Sequence, residues 1–346
     1  MYACTASPTN RASDTGVAIL LSTFNGETFL PAQLNSFLAQ THERWVLHWR
    51  DDGSTDSTVH IMREFALRVG PDRCVESPSS GPHLGVVASF LTLLRESIGA
   101  MAVAFADQDD VWLPEKLQCA LELLTPAGEA PALYCARQYL VDGALRGAKL
   151  SAHHSHLAGF PACLTQNIAN GNTLVMNASA AALVATSGEP DGTVHDWWSY
   201  IIVSACGGRI IFDDRPQVLY RLHKGNLIGR AQPFYARALA AIRRGPAVYM
   251  TMMQRHADAL AAQAARLTPE TQRDLALVRN GLYGGLTSRL SALRCQRFRR
   301  RTVLENLLFG FWFLTNRRFL LAAATNRDEP NTAPQQPARH YHETRP

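Results

Sequence analysis

Four times in the first 124 residues, an apolar run gives way to helical spacing, and this alternation limits the fold more than any other feature. Val17–Thr23 (VAILLST) is a short apolar run that stops at Phe24-Asn25-Gly26. It reads as a buried strand feeding a turn. Leu30, Leu34, Phe37 and Leu38 then fall at helical spacing, with Pro31 in the opening turn. Arg44–Arg50 reads as a second strand, stopping at Asp51-Asp52-Gly53-Ser54-Thr55-Asp56. Ser54 or Thr55 is placed to cap a helix carrying Val59, Met62 and Phe65. Arg73–Ser77 is a third strand, Leu84–Ser97 a helix, and Ala100–Ala106 a fourth strand ending at Asp107; Pro114 opens a helix through Leu124.

Such repetition implies an α/β fold, a doubly wound and largely parallel sheet with helices on both faces. In open sheets of this kind, ligands bind outside the carboxyl ends of the strands. Asn25, the Asp51/Asp52 pair and Asp107-Gln108-Asp109-Asp110 should therefore face one crevice. Beyond residue 132 the pattern mixes: Leu133–Val141 and Val218–His223 read as strands and His195–Ala205 as a helix. From about residue 232 the chain reads as helical, rich in Ala, Leu and Arg. The expected division is a disordered 1–15, an α/β domain over 16–230, a basic helical region over 231–327 and a disordered, proline-rich 328–346.

A chain of 346 residues that is 47% hydrophobic and 18% charged can build a sizeable core. Its net charge of +5 conceals a segregation: Arg230–Arg327 holds 17 basic and 4 acidic residues, the remainder 17 and 25. An acidic body with a basic C-terminal region suggests two different partners. The seven cysteines stand singly, without a CxxC pair, which fits a reducing cytoplasm rather than a zinc or redox site. No basic-then-apolar leader pattern opens the chain. The apolar stretch Val303–Leu314 is interrupted by Glu305 and Asn306 and falls short of a bilayer span, which needs about 20 residues.

The strongest chemical signal is Asp107-Gln108-Asp109-Asp110-Val111-Trp112. Three carboxylates within four residues repel one another, and folding them at a strand end needs a compensating cation or donors. A hard divalent ion, Mg²⁺ or Mn²⁺ bridging substrate phosphates, suits oxygen ligands so placed. Asp51-Asp52 offers acceptors for a nucleobase N–H or a ribose hydroxyl, or else an Asx turn. His195-Asp196-Trp197-Trp198 sets a carboxylate beside aromatics, where its pKa rises toward that of a base, or else marks a capped helix start. In Tyr220-Arg221-Leu222-His223, His223 at a strand end could complete a metal site or be structural. His153-His154-Ser155-His156 reads as a solvated loop without paired carboxylates. No GxGxxG follows a strand, and neither GxxxxGK[ST] nor GxSxG occurs.

In order and spacing, LLSTFN (Leu20–Asn25), DDGSTD (Asp51–Asp56), DQDDVW (Asp107–Trp112) with Pro114-Glu115-Lys116-Leu117, GNTLVM (Gly171–Met176), HDWW (His195–Trp198) and YRLHKGN (Tyr220–Asn226) resemble the family 2 glycosyltransferases, in particular their rhamnosyltransferase-like branch. The resemblance implies a GT-A fold and an inverting enzyme. It would carry a sugar, L-rhamnose by the branch, from a nucleoside-diphosphate donor to a glycan or lipid-linked acceptor in bacterial polysaccharide synthesis. It places Thr23, Phe24, Asn25, Asp52 and Asp107 on the donor, Asp109 and His223 on the metal, and Asp196 as general base. Asn172, Trp197 and Trp198 fall on the acceptor side, and Asn172 departs from the branch's usual residue there.

Two rivals stand beside this reading. A nucleotidyltransferase would carry a basic, glycine-rich phosphate loop after the first strand, where this chain has Phe24-Asn25-Gly26-Glu27. A non-catalytic nucleotide-sugar scaffold has no need of Asp109 and Asp196. The arginines at 289–301, followed by Phe309, Phe311, Trp312 and Phe313, suit an anionic membrane surface or a solvated helical bundle. Nucleic acid is disfavoured, since no stacking or groove-reading motif accompanies them. The resulting location is cytoplasmic, peripheral to the inner membrane face.

Overall fold

A computed structural model describes residues 16–154, 159–223 and 246–315. The segments 1–15 and 328–346, expected to be disordered, lie outside the described residues. The first half follows the alternation: β1 (Val17–Thr23), α1 (Leu30–Leu38), β2 (Trp45–Asp51), α2 (Thr58–Val69), β3 (Cys74–Glu76), α3 (Val86–Glu96), β4 (Ala102–Ala106), β5 (Val111–Trp112) and α4 (Lys116–Leu124). Then come β6 (Ala132–Asp142), β7 (Lys149–Leu150), β8 (Val175–Asn177), α5 (Ala178–Ala185), α6 (His195–Ala205) and β9 (Arg209–Leu222). The expected strand at Val218–His223 is the end of this longer β9, whose first half alternates too weakly in polarity to show in the sequence.

The nine strands form one mixed sheet in the order β3-β2-β1-β4-β8-β6-β9-β5, with β7 on β6. β1, β2, β3 and β4 run parallel, β8 antiparallel between β4 and β6, and β9 parallel to β6. The strict side-chain period of two divides the core. Val17, Ile19 and Leu21 join α1, α2 and α4 on one face, while Ala18 and Leu20 join α3, α5 and α6 on the other. Both faces are covered, which is why β1 and β4 are apolar at nearly every position.

Four more helices follow: α7 (Ala247–Ala262), α8 (Pro269–Tyr283), α9 (Leu286–Leu293) and α10 (Val303–Thr315). They are not a detached appendage. Met250, Met253, Ala257 and Leu260 of α7 are buried in the same apolar cluster as Phe90, Phe105 and Trp198, and Leu275, Val278, Phe309 and Phe313 extend it. No described helix is long and apolar enough to cross a membrane.

A shared core predicts a single cooperative unfolding transition. Met253→Ala should lower the stability of that transition by about 2–5 kcal/mol in urea titration. A separate early transition for the helical region would contradict the shared core.

Candidate active site

The crevice is built from strand ends. Thr23 and Asp51 are register partners at the carboxyl ends of β1 and β2, and Asp107 follows β4 next door. Thr23 is fully buried, and its hydroxyl donates to Asp51 Oδ1 at 3.0 Å. Asp51 also accepts from the Gly53 and Ser54 amides at 3.0 and 2.7 Å, so it holds the turn rather than facing a ligand. Ser54 and Thr55 do not cap α2 as expected. The N-cap is Ser57, which makes no side-chain cap bond; Asp56 before it accepts from the Thr58 amide at 3.0 Å, while Ser54 Oγ accepts from the Asn25 amide at 2.9 Å. Asn25 takes a left-handed φ of 47° and accepts from the Thr55 amide at 2.8 Å.

Asp52 is almost wholly enclosed. It accepts from Arg50 at 2.5 Å, from the Leu84 and Gly85 amides at 2.6 and 2.9 Å, and from Ser89 Oγ at 3.2 Å. Burial alone would raise its pKa, but these amides and the Arg50 guanidinium hold it below the usual value. His83 Nδ1 also lies 2.9 Å from its Oδ2, so Asp52 is engaged on both oxygens in fixing the surrounding loops. The exposed group there is Phe24, whose ring lies 5.3 Å from that of His83.

The acidic loop divides its three carboxylates. Asp110 turns inward with no exposure, accepting from the Arg221 amide at 3.0 Å and Asn172 Nδ2 at 2.6 Å. Lys116 is equally buried, its ammonium 3.3 Å above the Trp112 ring. Burial and the charges of Asp107 and Asp109 raise the Asp110 pKa against the Asn172 and Arg221 hydrogen bonds, while burial lowers that of Lys116 against the charges of Asp110 and Asp107. Of the two compensations expected for the acidic run, a cation or donor groups, Asp110 takes donors. Asn172, expected near an acceptor, is 2% exposed and spends its amide on Asp110.

Asp107 and Asp109 remain toward the cleft. Asp109 Oδ2 lies 2.7 Å from His223 Nε2, both side chains about one-fifth exposed. The Phe29 ring packs 4.6 Å from that of His223, and Arg221 Nε donates to the Asp109 carbonyl at 2.7 Å. Asp107 receives no hydrogen bond from any described side chain. Burial pushes its pKa up to about 7, and the charges of Asp109 and Asp196 push the same way. The HDWW carboxylate stands beside the acidic loop: the Gly171 amide donates to Asp196 at 2.9 Å, and the next residue, Asn172, donates to Asp110 at 2.6 Å.

Asp196 sits in the first turn of α6, where the helix dipole favours a negative charge. The Gly171 amide donates to Oδ2 at 2.9 Å and the Trp197 amide to Oδ1 at 2.6 Å, with Asn167 as a further donor. Burial still outweighs them, and the Asp196 pKa is pushed up to about 6. Residue 171 must be glycine for this approach, since a Cβ there would lie 2.9 Å from His195 Nε2. Trp197 is half-buried, its indole donating to the Cys163 carbonyl at 2.7 Å. Trp198 is fully buried and donates to Ser187, so it supports the wall from behind and has no surface for an acceptor.

His153 is likewise paired, to Asp214, although the sequence suggested no carboxylate near the histidine cluster; Ser155 and His156 lie outside the described residues, as do Lys224-Gly225-Asn226. Among the described residues no group of three or more His, Cys, Asp and Glu forms a ready-made metal site. Gln108 was missed in the sequence. Its amide accepts from the Phe24 N–H at 2.9 Å and donates to the Phe24 carbonyl at 2.9 Å, clamping the β1 loop onto the acidic loop. Gly26 makes room for it, since a Cβ there would lie 2.2 Å from Gln108 Oε1. A glutamine inside an acidic run was the available signal.

The mixed sheet with converging acidic side chains at its strand ends defines the GT-A type of α/β glycosyltransferase. Residues 18–183 match the family described as glycosyl transferase family 2. It is 27% identical over 230 residues to the dTDP-rhamnosyl transferase RfbG of Shigella flexneri, covering 63% of this chain and 76% of that one. It is 29% identical over 108 residues to the UDP-Glc:alpha-D-GlcNAc-diphosphoundecaprenol beta-1,3-glucosyltransferase WfgD of Escherichia coli, covering 31% and 40%. Staphylococcus aureus TarS, solved in complex with UDP-GlcNAc, superimposes with a TM-score of 0.50 over 80% of this chain and 78% of that one at 15% identity, a likeness of fold.

Gln108→Ala removes both hydrogen bonds of the clamp, each worth about 1 kcal/mol. Nucleotide-sugar affinity by calorimetry should fall roughly tenfold with the fold intact. Unchanged affinity would separate the two loops.

Proposed function

We propose that this glycosyltransferase inverts the anomeric carbon. It transfers a sugar from a nucleoside-diphosphate donor to a hydroxyl of a glycan or lipid-linked acceptor in bacterial surface polysaccharide synthesis, with Mg²⁺ or Mn²⁺ assisting. The observation that carries the proposal is the placement of Asp196 beside the acidic loop, where Gly171 holds Asp196 and the next residue, Asn172, holds Asp110. The likeness to a dTDP-rhamnosyl transferase supports L-rhamnose as the sugar.

A sugar hydroxyl is a weak nucleophile at neutral pH, so a placed carboxylate must take its proton as it attacks. Asp196 suits that task. Its amide donors orient it, and burial raises its basicity while leaving it ionised at pH 7. Asp107, short of donors, is free to accept from a ribose hydroxyl, and Phe24 offers a ring face to the base. Asp109 and His223 supply oxygen and nitrogen ligands side by side, a fit for an ion that completes its shell with water and diphosphate oxygens. When bound, such an ion neutralises charge gathering on the leaving diphosphate. Holding donor and acceptor in one orientation supplies much of the remaining acceleration.

Asp196→Asn should lower kcat by roughly 10²–10⁴ while leaving donor affinity nearly unchanged. Equal turnover by wild type and variant would refute the assignment. Because the base acts ionised and its pKa is pushed up to about 6, wild-type kcat/KM should fall as pH drops through that value and level off above it. The variant's residual activity should lack that limb. Chelation should abolish transfer, with Mn²⁺ or Mg²⁺ restoring it, and Asp109→Asn should weaken that rescue.

A further inference from the structure

The arginine-rich segment before α10 and the proposed base meet in one loop. Within residues 163–167, the Cys163 carbonyl accepts from Trp197 and Asn167 bonds Asp196. From the other side, Thr165 Oγ1 donates to the Arg299 carbonyl at 2.8 Å, Arg300 Nη1 donates to the Thr165 carbonyl at 2.5 Å, and the Arg301 amide donates to Gln166 at 3.3 Å. A single stretch of chain therefore separates the arginines from the acceptor side of the cleft.

Helix α10 is anchored through Phe309 and Phe313. Its other side presents Val303, Leu304, Leu307 and Phe311, exposed by 78, 61, 67 and 61%. Positions 303, 307 and 311 recur every four residues, and Leu304 adjoins them, so the four form one stripe. Nearby, Arg297 pairs with Glu270 and Asp274, and Arg301 with Glu305. Arg294 and Arg299 are exposed and meet no carboxylate among the described residues.

We propose that this face docks on an anionic lipid bilayer. The apolar stripe enters the acyl boundary, Arg294 and Arg299 meet lipid phosphates, and a lipid-linked acceptor reaches the cleft from the bilayer side. The last clause rests on the reading of Asp196 as base; the docking does not. Charge decides the occupant. The two long segments of chain outside the described residues nearest in sequence are themselves net basic: residues 316–346 hold five arginines and three acids, and residues 224–245 hold five basic residues and no acid. An apolar stripe flanked by arginines matches a helix lying in a membrane interface.

The test is co-sedimentation of the full chain with vesicles of phosphatidylcholine alone or in equal parts with phosphatidylglycerol. Wild type should pellet with the anionic vesicles and scarcely with the neutral ones. Arg294→Ala/Arg299→Ala should bind the anionic vesicles about 25-fold more weakly, from roughly fivefold per arginine near such a surface. Leu307→Ser/Phe311→Ser should lose roughly tenfold or more per side chain. Both variants change exposed groups, so unfolding temperature and donor hydrolysis should stay at wild-type values. Equal binding by wild type and variants would overturn the proposal. So would a wild-type dimer in sedimentation velocity that Leu307→Ser/Phe311→Ser splits, since the stripe would then serve a second copy. Vesicle binding without donor hydrolysis would support docking while refuting the reading of the cleft.

Discussion

The site depends on one buried carboxylate. Asp110 has no exposure, and its two oxygens accept from the Arg221 amide and from Asn172. Those bonds join the end of β4, the end of β9 and the short turn Gly171–Thr173 at one point. Two residues past Arg221 stands His223, and one residue before Asn172 stands Gly171, whose amide holds Asp196. The positions of His223 and Asp196 are therefore consequences of how Asp110 is satisfied. Removing one partner of a buried charge commonly costs about 3–5 kcal/mol, so geometry at this junction is held far more firmly than at the exposed loops.

With Asp110 satisfied from within, the cleft keeps two different kinds of carboxylate. Asp107 receives no hydrogen bond among the described residues, and its charge is opposed by burial and by two like neighbours. Asp196 has three donors and is opposed chiefly by burial. Environment thus distinguishes groups that are chemically identical.

Much of this was legible in the sequence. The alternation of apolar runs and helical spacing yielded the parallel half of the sheet, because strands buried on both faces must be apolar throughout. His195–Ala205 was read correctly because its aromatic and apolar residues have helical period, although its N-cap, Val194, makes no side-chain bond. The antiparallel insertion of β8 was not legible, since three residues carry no period and pairing partners are remote. Within the site, spacing revealed which residues are acidic but not which way each points. Asp110, Asn172 and Trp198 turn into the protein for reasons that lie with partners 62, 62 and 11 residues away. Gln108 escaped notice because its partner is the backbone of Phe24, and a backbone group has no signature in a sequence.

The amide of Gln108 has a thermodynamic corollary. It fastens the loop bearing Phe24 to the loop bearing Asp107 and Asp109 through two hydrogen bonds. Occupancy of either loop then changes the mobility of the other. Reciprocity requires that whatever factor a divalent ion adds to nucleotide affinity, the nucleotide adds to ion affinity. On the proposed reading, ion and nucleotide would act as heterotropic effectors of one another through this clamp.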